Sequence, residues 1–118
     1  MNMNQEPVYK LDKLIEYIGT DEAAIRNMLN IFLSSSVDIM QQIQTAIVAG
    51  NLEEVGKNAH KLKPNIDIFG IKCLHEPVRT LESLARQNKE PEKIKDLVQQ
   101  LQTTLDLVFK QMKADHSI

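Results

Sequence analysis

Cysteine is nearly absent from this sequence, with Cys73 the one thiol. That excludes an internal disulfide framework and a cysteine-based zinc site, and it favours the reducing cytoplasm. Tryptophan is missing altogether, and two Tyr and three Phe make up the aromatic content. Four Gly and four Pro are too few for a loop-rich β fold. No glycine-rich phosphate loop occurs, which counts against an autonomous ATP-using enzyme. Charge of one sign is also lacking. Fourteen basic residues stand against sixteen acidic ones, for a net charge of −2. Nucleic-acid binders and polybasic membrane-surface proteins usually carry a basic excess. No apolar run approaches the roughly 20 residues of a membrane span. The first ten residues contain no apolar stretch of the kind that marks a secretory signal.

What is present favours one all-α domain. The chain has 118 residues, 42% hydrophobic and 25% charged, which fits a single globular unit. Leu, Ile, Gln, Lys, Glu and Ala dominate, and these residues favour helices. Residues 1–8 are polar and are expected to be a flexible N-terminus. Leu11, Leu14, Ile15 and Ile18 follow helical spacing and predict a short first helix, which Gly19 can close in a left-handed conformation. Thr20 or Asp21 then caps a long second helix with an apolar face of Ile25, Met28, Leu29, Phe32, Ile39, Met40, Ile43 and Ile47. Ser34, Ser35 and Ser36 interrupt that stripe and can bend the helix. Gly50 ends it.

Asn51, with Glu54 three residues on, opens a third helix as in a capping box. Its buried stripe is Leu52, Val55, Ala59, Leu62, Ile66 and Phe69, and Gly70 closes it. A fourth helix carries Leu74, Val78, Leu81, Leu84 and Ala85 inward. Pro77 requires that it either start near Leu74 or kink. Pro91 fits the first turn of a fifth helix with the stripe Ile94, Leu97, Val98, Leu101, Leu105, Val108 and Met112. The expected architecture is an antiparallel four-helix bundle with a short additional N-terminal helix, spanning residues 9–113. Residues 114–118, including His116, are expected to be a flexible C-terminus, and Cys73 a buried small thiol.

His60 breaks the pattern. At about 100° per residue it points away from the stripe that holds Ala59 and Leu62. Its neighbours on that face are Gly56, Lys57, Lys63 and Pro64. Gly56 and Pro64 carry little bulk, so a partner's backbone can approach the imidazole. Lys57, Lys61 and Lys63 make the surroundings positive, which disfavours an imidazolium and attracts a phosphoryl group. On spacing alone, a solvated surface histidine remains the simpler reading.

The run Ala59-His60-Lys61-Leu62-Lys63, with Gly70 ten residues after the histidine, resembles the signature of histidine-containing phosphotransfer (HPt) domains. Leu81-Glu82 and Ala85-Arg86 resemble that family's next helix, and Phe32 and the stretch 52–54 also match its pattern. The similarity covers roughly Tyr9 to Lys113. It implies that His60 is the phospho-acceptor, that Lys63 interacts with the phosphoryl group, and that Gly70 is structural. It also implies a carrier in multistep His–Asp relays without kinase activity of its own. The implied partners are response-regulator receiver domains, with a hybrid sensor histidine kinase as a further candidate. The resemblance further implies that the chain itself binds no cofactor or metal and that the receiver supplies the aspartate and Mg²⁺. A monomeric, cytoplasmic protein is expected, and the initial Met and the tail fit a free-standing one.

One departure from the family pattern is Pro64, where many members have Gly. Proline inside a helix removes the bond to the carbonyl of His60 and crowds it, so a local kink is expected at the histidine. Asn65 and Asp67 are also atypical, since small residues are common there. Asp67 is expected to pair with Lys63 or to contact the receiver. The expected partner-binding residues are therefore Gly56, Lys57, Lys61, Pro64 and Asp67. Leu14, Ile18, Met28 and Ile31 are candidates for an apolar docking rim. A non-catalytic docking adaptor with the same fold is the alternative function. His60 and Lys63 together favour the relay carrier, because an adaptor needs neither.

Overall fold

The structure, a computed structural model, describes residues 8–118. The expected flexibility of residues 1–7 lies outside the described part. Five helices follow in chain order, and no strand occurs among the described residues. They are α1 (Asp12–Ile18), α2 (Glu22–Ala49), α3 (Leu52–Ile68), α4 (His75–Gln87) and α5 (Pro91–His116). A 3₁₀ turn, Lys72–Leu74, leads into α4.

The helix boundaries follow local chemistry. Asp21 rather than Thr20 caps α2, its side chain accepting from the Ala24 N–H at 3.0 Å. Asn51 caps α3 by accepting from the Glu54 N–H at 3.2 Å. The Asn51 N–H goes back to the Ala46 carbonyl instead of to the Glu54 side chain, so the cap is half of a capping box. Gly50, Gly70 and Asn88 each take a left-handed conformation after a helix. In all three cases the next N–H bonds back to the helix, from Asn51 to Ala46, Ile71 to Ile66 and Lys89 to Leu84. Gly19 differs from expectation. Its φ of 83° is positive, but its ψ of −166° is extended, so it turns the chain sharply instead of closing α1 as a left-handed cap. Pro77 stands in the first turn of α4, where its missing N–H costs nothing, and the helix starts beside Leu74.

The core is the set of inward stripes. Leu29, Phe32 and Ile43 of α2 are buried with Val55, Ala59, Leu62 and Ile66 of α3. Leu81 of α4 and Leu101, Leu105 and Val108 of α5 close it. α3 packs most extensively on α4 and next on α2, while α5 covers α4 and α2. Phe32 stacks tilted on Phe69, with ring centroids 4.3 Å apart. Ser36 interrupts the α2 stripe yet is fully buried, and its hydroxyl accepts from Asn65 Nδ2 at 3.3 Å. That contact accounts for a polar residue at position 65.

Three expectations about the periphery are corrected. Cys73 is exposed, because it lies in the 3₁₀ turn whose inward position goes to Leu74. Residues 114–116 are helical, not flexible. The Tyr9 hydroxyl donates to Asp115 at 2.7 Å, and His116 Nδ1 lies 3.5 Å from Glu22. Leu14 is buried and unavailable as a docking residue, and Ile18 and Met28 are partly buried against the core. Ile31 is the one candidate of the four left exposed.

The N-terminal segment is tied down at three successive residues. The Val8 N–H donates to Gln111 Oε1 at 2.8 Å, Tyr9 is buried, and the Lys10 N–H donates to the Phe69 carbonyl at 2.9 Å. A Cβ on Gly70 would sit 3.0 Å from Lys10 Cβ, so glycine there serves both the left-handed turn and this close crossing.

Candidate functional site

His60 projects from the middle of α3 on the side facing α4, with 59% of its side chain exposed. Its Nδ1 lies 2.7 Å from Glu82 Oε2. An ionised carboxylate can only accept, so the proton of the neutral ring is on Nδ1 and the lone pair is on Nε2.

Glu82 is the residue that helical-neighbour reasoning missed. It sits on α4, 22 positions from His60, and is 8% exposed. Lys63 Nζ lies 2.7 Å from its Oε1, and Arg86 Nη2 lies 2.8 Å from its Oε2. Burial alone would raise the Glu82 carboxyl. Hydrogen bonds from Lys63 and His60, together with the charges of Lys63 and Arg86, outweigh that effect and hold the group below the usual carboxylate range. Glu82 therefore stays ionised at neutral pH and remains an acceptor for the imidazole N–H. The Leu81-Glu82 pair was legible as part of the family resemblance, but nothing in the local spacing assigned the carboxylate to His60.

The other expected residues divide. Lys63 meets Glu82, not Asp67, and is three-quarters buried along its side chain. Lys57 lies 3.9 Å from Glu53 and 3.8 Å from Glu54 on its own helix, both weak exposed pairs. Lys61 and Pro64 are exposed beside His60. α3 is helical without interruption through Pro64 to Ile68.

One assignment and one expected pairing are corrected. Gly56 is buried, not open to a partner. A Cβ there would stand 3.3 Å from Arg86 Cγ and 3.5 Å from Ala85 Cβ, so the glycine lets α4 come close. The expectation failed because α3 is flanked by helices on two sides, and its buried arc is wider than the apolar stripe alone. Asp67 pairs with Arg79 Nη2 at 2.9 Å and with His75 Nδ1 at 3.2 Å, so it does not reach Lys63. Burial would raise its carboxyl too, but Arg79 foremost and then His75 hold it below its usual value.

These features define an all-α domain that presents an exposed histidine on the middle of α3, its Nδ1 held by a buried carboxylate of the next helix. The family model of the Hpt domain matches residues 27–111, from the first turns of α2 to near the end of α5. The chain belongs to the Hpt domain family, whose members take part in His–Asp phosphorelays and interact with receiver domains. Searches of curated proteins and of solved structures return no match to the chain. No helix among the described residues is long and apolar enough to cross a membrane.

Proposed function

We propose that the protein is a phosphotransfer carrier that accepts a phosphoryl group on His60 Nε2 from a receiver-domain aspartate and passes it to a second receiver. The observation that carries this reading is the 2.7 Å contact of His60 Nδ1 with Glu82, which in the neutral ring puts the proton on Nδ1 and the free lone pair on Nε2 of an exposed side chain. Helices α2 to α5 form the antiparallel bundle that holds the histidine.

In the accepting step the Nε2 lone pair attacks phosphorus. The P–O bond to the aspartate breaks, and its electron pair stays on the carboxylate. Such transfers depend on in-line placement and charge neutralisation more than on covalent help from the protein. The receiver brings the aspartate and Mg²⁺, and this chain brings the nucleophile and the positive charge of Lys63. Lys61, Pro64 and Ile31 are the exposed residues that a docking receiver would cover. The domain has no ATP site of its own in this reading and acts as a carrier, not a kinase.

The test is transfer from a pre-phosphorylated receiver with Mg²⁺ to wild type and to His60→Gln. The label should be acid-labile, alkali-stable and confined to the wild type. Equal labelling of both proteins would reject His60. Binding of receivers without labelling would favour a docking adaptor.

A further inference from the structure

Pro64 lies inside α3, four residues after His60. In an α-helix the carbonyl of one residue accepts from the N–H four residues on. Proline has no N–H, so the His60 carbonyl lacks that donor while α3 runs unbroken to Ile68. The oxygen lies in the strip of helix surface between residues 60 and 64, and His60, Lys61 and Pro64 are all exposed. The pyrrolidine ring crowds it along the helix axis only. A carbonyl oxygen has two lone pairs, and one is left facing outward beside the imidazole. Nearby side-chain donors are engaged elsewhere. Lys63 is turned to Glu82, Lys57 to Glu53 and Glu54, and the Asn65 amide to Ser36. Helix formation does not account for this residue, since proline is the least suited to a helix interior and alanine would have kept the bond. Sequences break such local rules chiefly at functional sites.

We propose that Pro64 makes the His60 carbonyl oxygen a docking acceptor, so that the receivers this chain serves are those that place an N–H donor on it. This rests on His60 being the phospho-acceptor and adds which receivers can reach it. The contact joins the receiver to the backbone of the residue that reacts. It therefore fixes how the phosphorus sits over Nε2, and in-line placement is what phosphoryl transfer depends on. A receiver without the donor would strip water from the oxygen and leave it unpaired, which weakens docking. One that brought a carboxylate there would set acceptor against acceptor. The same proline thus favours one set of receivers and disfavours the others.

The experiment compares three full-length proteins: wild type, Pro64→Ala, and a semisynthetic protein with lactic acid in place of Pro64. Alanine returns an N–H to the His60 carbonyl. Lactic acid has the methyl group of alanine but an ester oxygen where the N–H would be, so the carbonyl is free again without the pyrrolidine ring. The donor is the phosphorylated receiver from which wild type accepts fastest. Transfer should fall roughly tenfold in Pro64→Ala, the worth of one hydrogen bond, and recover in the ester protein. Phosphoramidate, a small donor that needs no docking, should label all three at the same rate.

Unchanged transfer to Pro64→Ala would overturn the proposal. So would an ester protein as slow as Pro64→Ala, because the receiver would then be reading the pyrrolidine ring and not the carbonyl. Slower phosphoramidate labelling of Pro64→Ala would also overturn it, by placing the effect on the imidazole itself. If receivers bind wild type but label none of the proteins that phosphoramidate labels, the relay reading falls. The carbonyl contact is then decided by receiver affinity, which should be roughly tenfold weaker for Pro64→Ala and is refuted if equal.

Discussion

Lys63 and Asp67 stand one helical turn apart on α3, carry opposite charges, and do not pair. Each turns across to α4 instead, Lys63 to Glu82 at 2.7 Å and Asp67 to Arg79 at 2.9 Å. The helix-to-helix choice uses side chains that burial has already ordered, so less conformational entropy is lost per ion pair than in an exposed i,i+4 pair. It also lashes α3 to α4 at two levels, with His60 above and His75 below. Asp67→Asn should therefore lower stability by about 0.5–1 kcal/mol, given the partial exposure of the pair. The urea midpoint checks this, and no change in it would mean that Arg79 and His75 hold nothing there.

The two carboxylates also set the acid response. Asp67 and Glu82 are both held below their ordinary values of 3.8 and 4.5. A carboxyl whose pKa is lower in the folded chain stabilises the fold when ionised. Its contribution is complete above the unfolded value and is lost as pH falls through the folded one. Stability from this source is expected to be constant at neutral pH and to fall once the pH drops below about 4.5. Urea midpoints across that range should fall less steeply in the Asp67→Asn, Glu82→Gln double variant, and parallel curves would contradict the assignment.

Gly70 tolerates a side chain poorly. Its φ is +57°, and an added Cβ would meet Lys10 Cβ at 3.0 Å and the Lys10 carbonyl oxygen at 3.2 Å. Gly70→Ala should cost about 1–3 kcal/mol, from the left-handed strain together with the clash. Gly19→Ala meets no atom within 4 Å and suffers the backbone strain alone. Thermal unfolding separates the two, and limited proteolysis near Lys10 should increase only in the Gly70 variant.

At Gly56 the same measurement tests the site. Alanine there gains helix propensity, about 1 kcal/mol over glycine, against a contact with the flexible Arg86 stem, so its net effect should be small. Leucine cannot fit and should destabilise by about 1–3 kcal/mol by prising α4 from α3. Because α4 carries Glu82, Gly56→Leu should also change the NMR tautomer signature of His60, whereas Gly56→Ala should leave it intact.

Tyr9 is buried, and its hydroxyl hydrogen is donated to Asp115; burial first and then that carboxylate push its ionisation well above the usual range. Tyr9→Phe removes the bond and leaves the ring, for a loss of about 0.5–1.5 kcal/mol in a chemical denaturation series. An unchanged midpoint would show that the Tyr9 hydroxyl bond adds nothing to the packing of its ring and the backbone bonds of Val8 and Lys10.

The helices were readable because punctuation and periodicity are local. Asp21, Asn51, Gly50, Gly70 and Pro91 each act within one turn, and the apolar stripes of α2, α3 and α5 are long enough to fix phase. What escaped was contact between helices. His60 reads as a histidine among lysines along α3, yet a carboxylate 22 positions away governs its ring. Gly56 reads as exposed until α4 is laid beside it. Asp67 reads as a partner for Lys63 until Arg79 arrives from the next helix. Cys73 and the tail at 114–116 were misjudged for a related reason, since a 3₁₀ turn shifts the inward phase and a polar tail can still be pinned by Tyr9 and Glu22.

The bond between Ser36 and Asn65 works as an index mark between α2 and α3. Apolar stripes alone would pack almost as well after one helix slid by a turn of about 5.4 Å. A slip would strand the fully buried Ser36 hydroxyl among hydrocarbon and leave the Asn65 amide without it, a penalty of about 1–3 kcal/mol. One polar rung in a greasy ladder thus sets how high His60 stands against α2, and so where a visiting surface finds the imidazole.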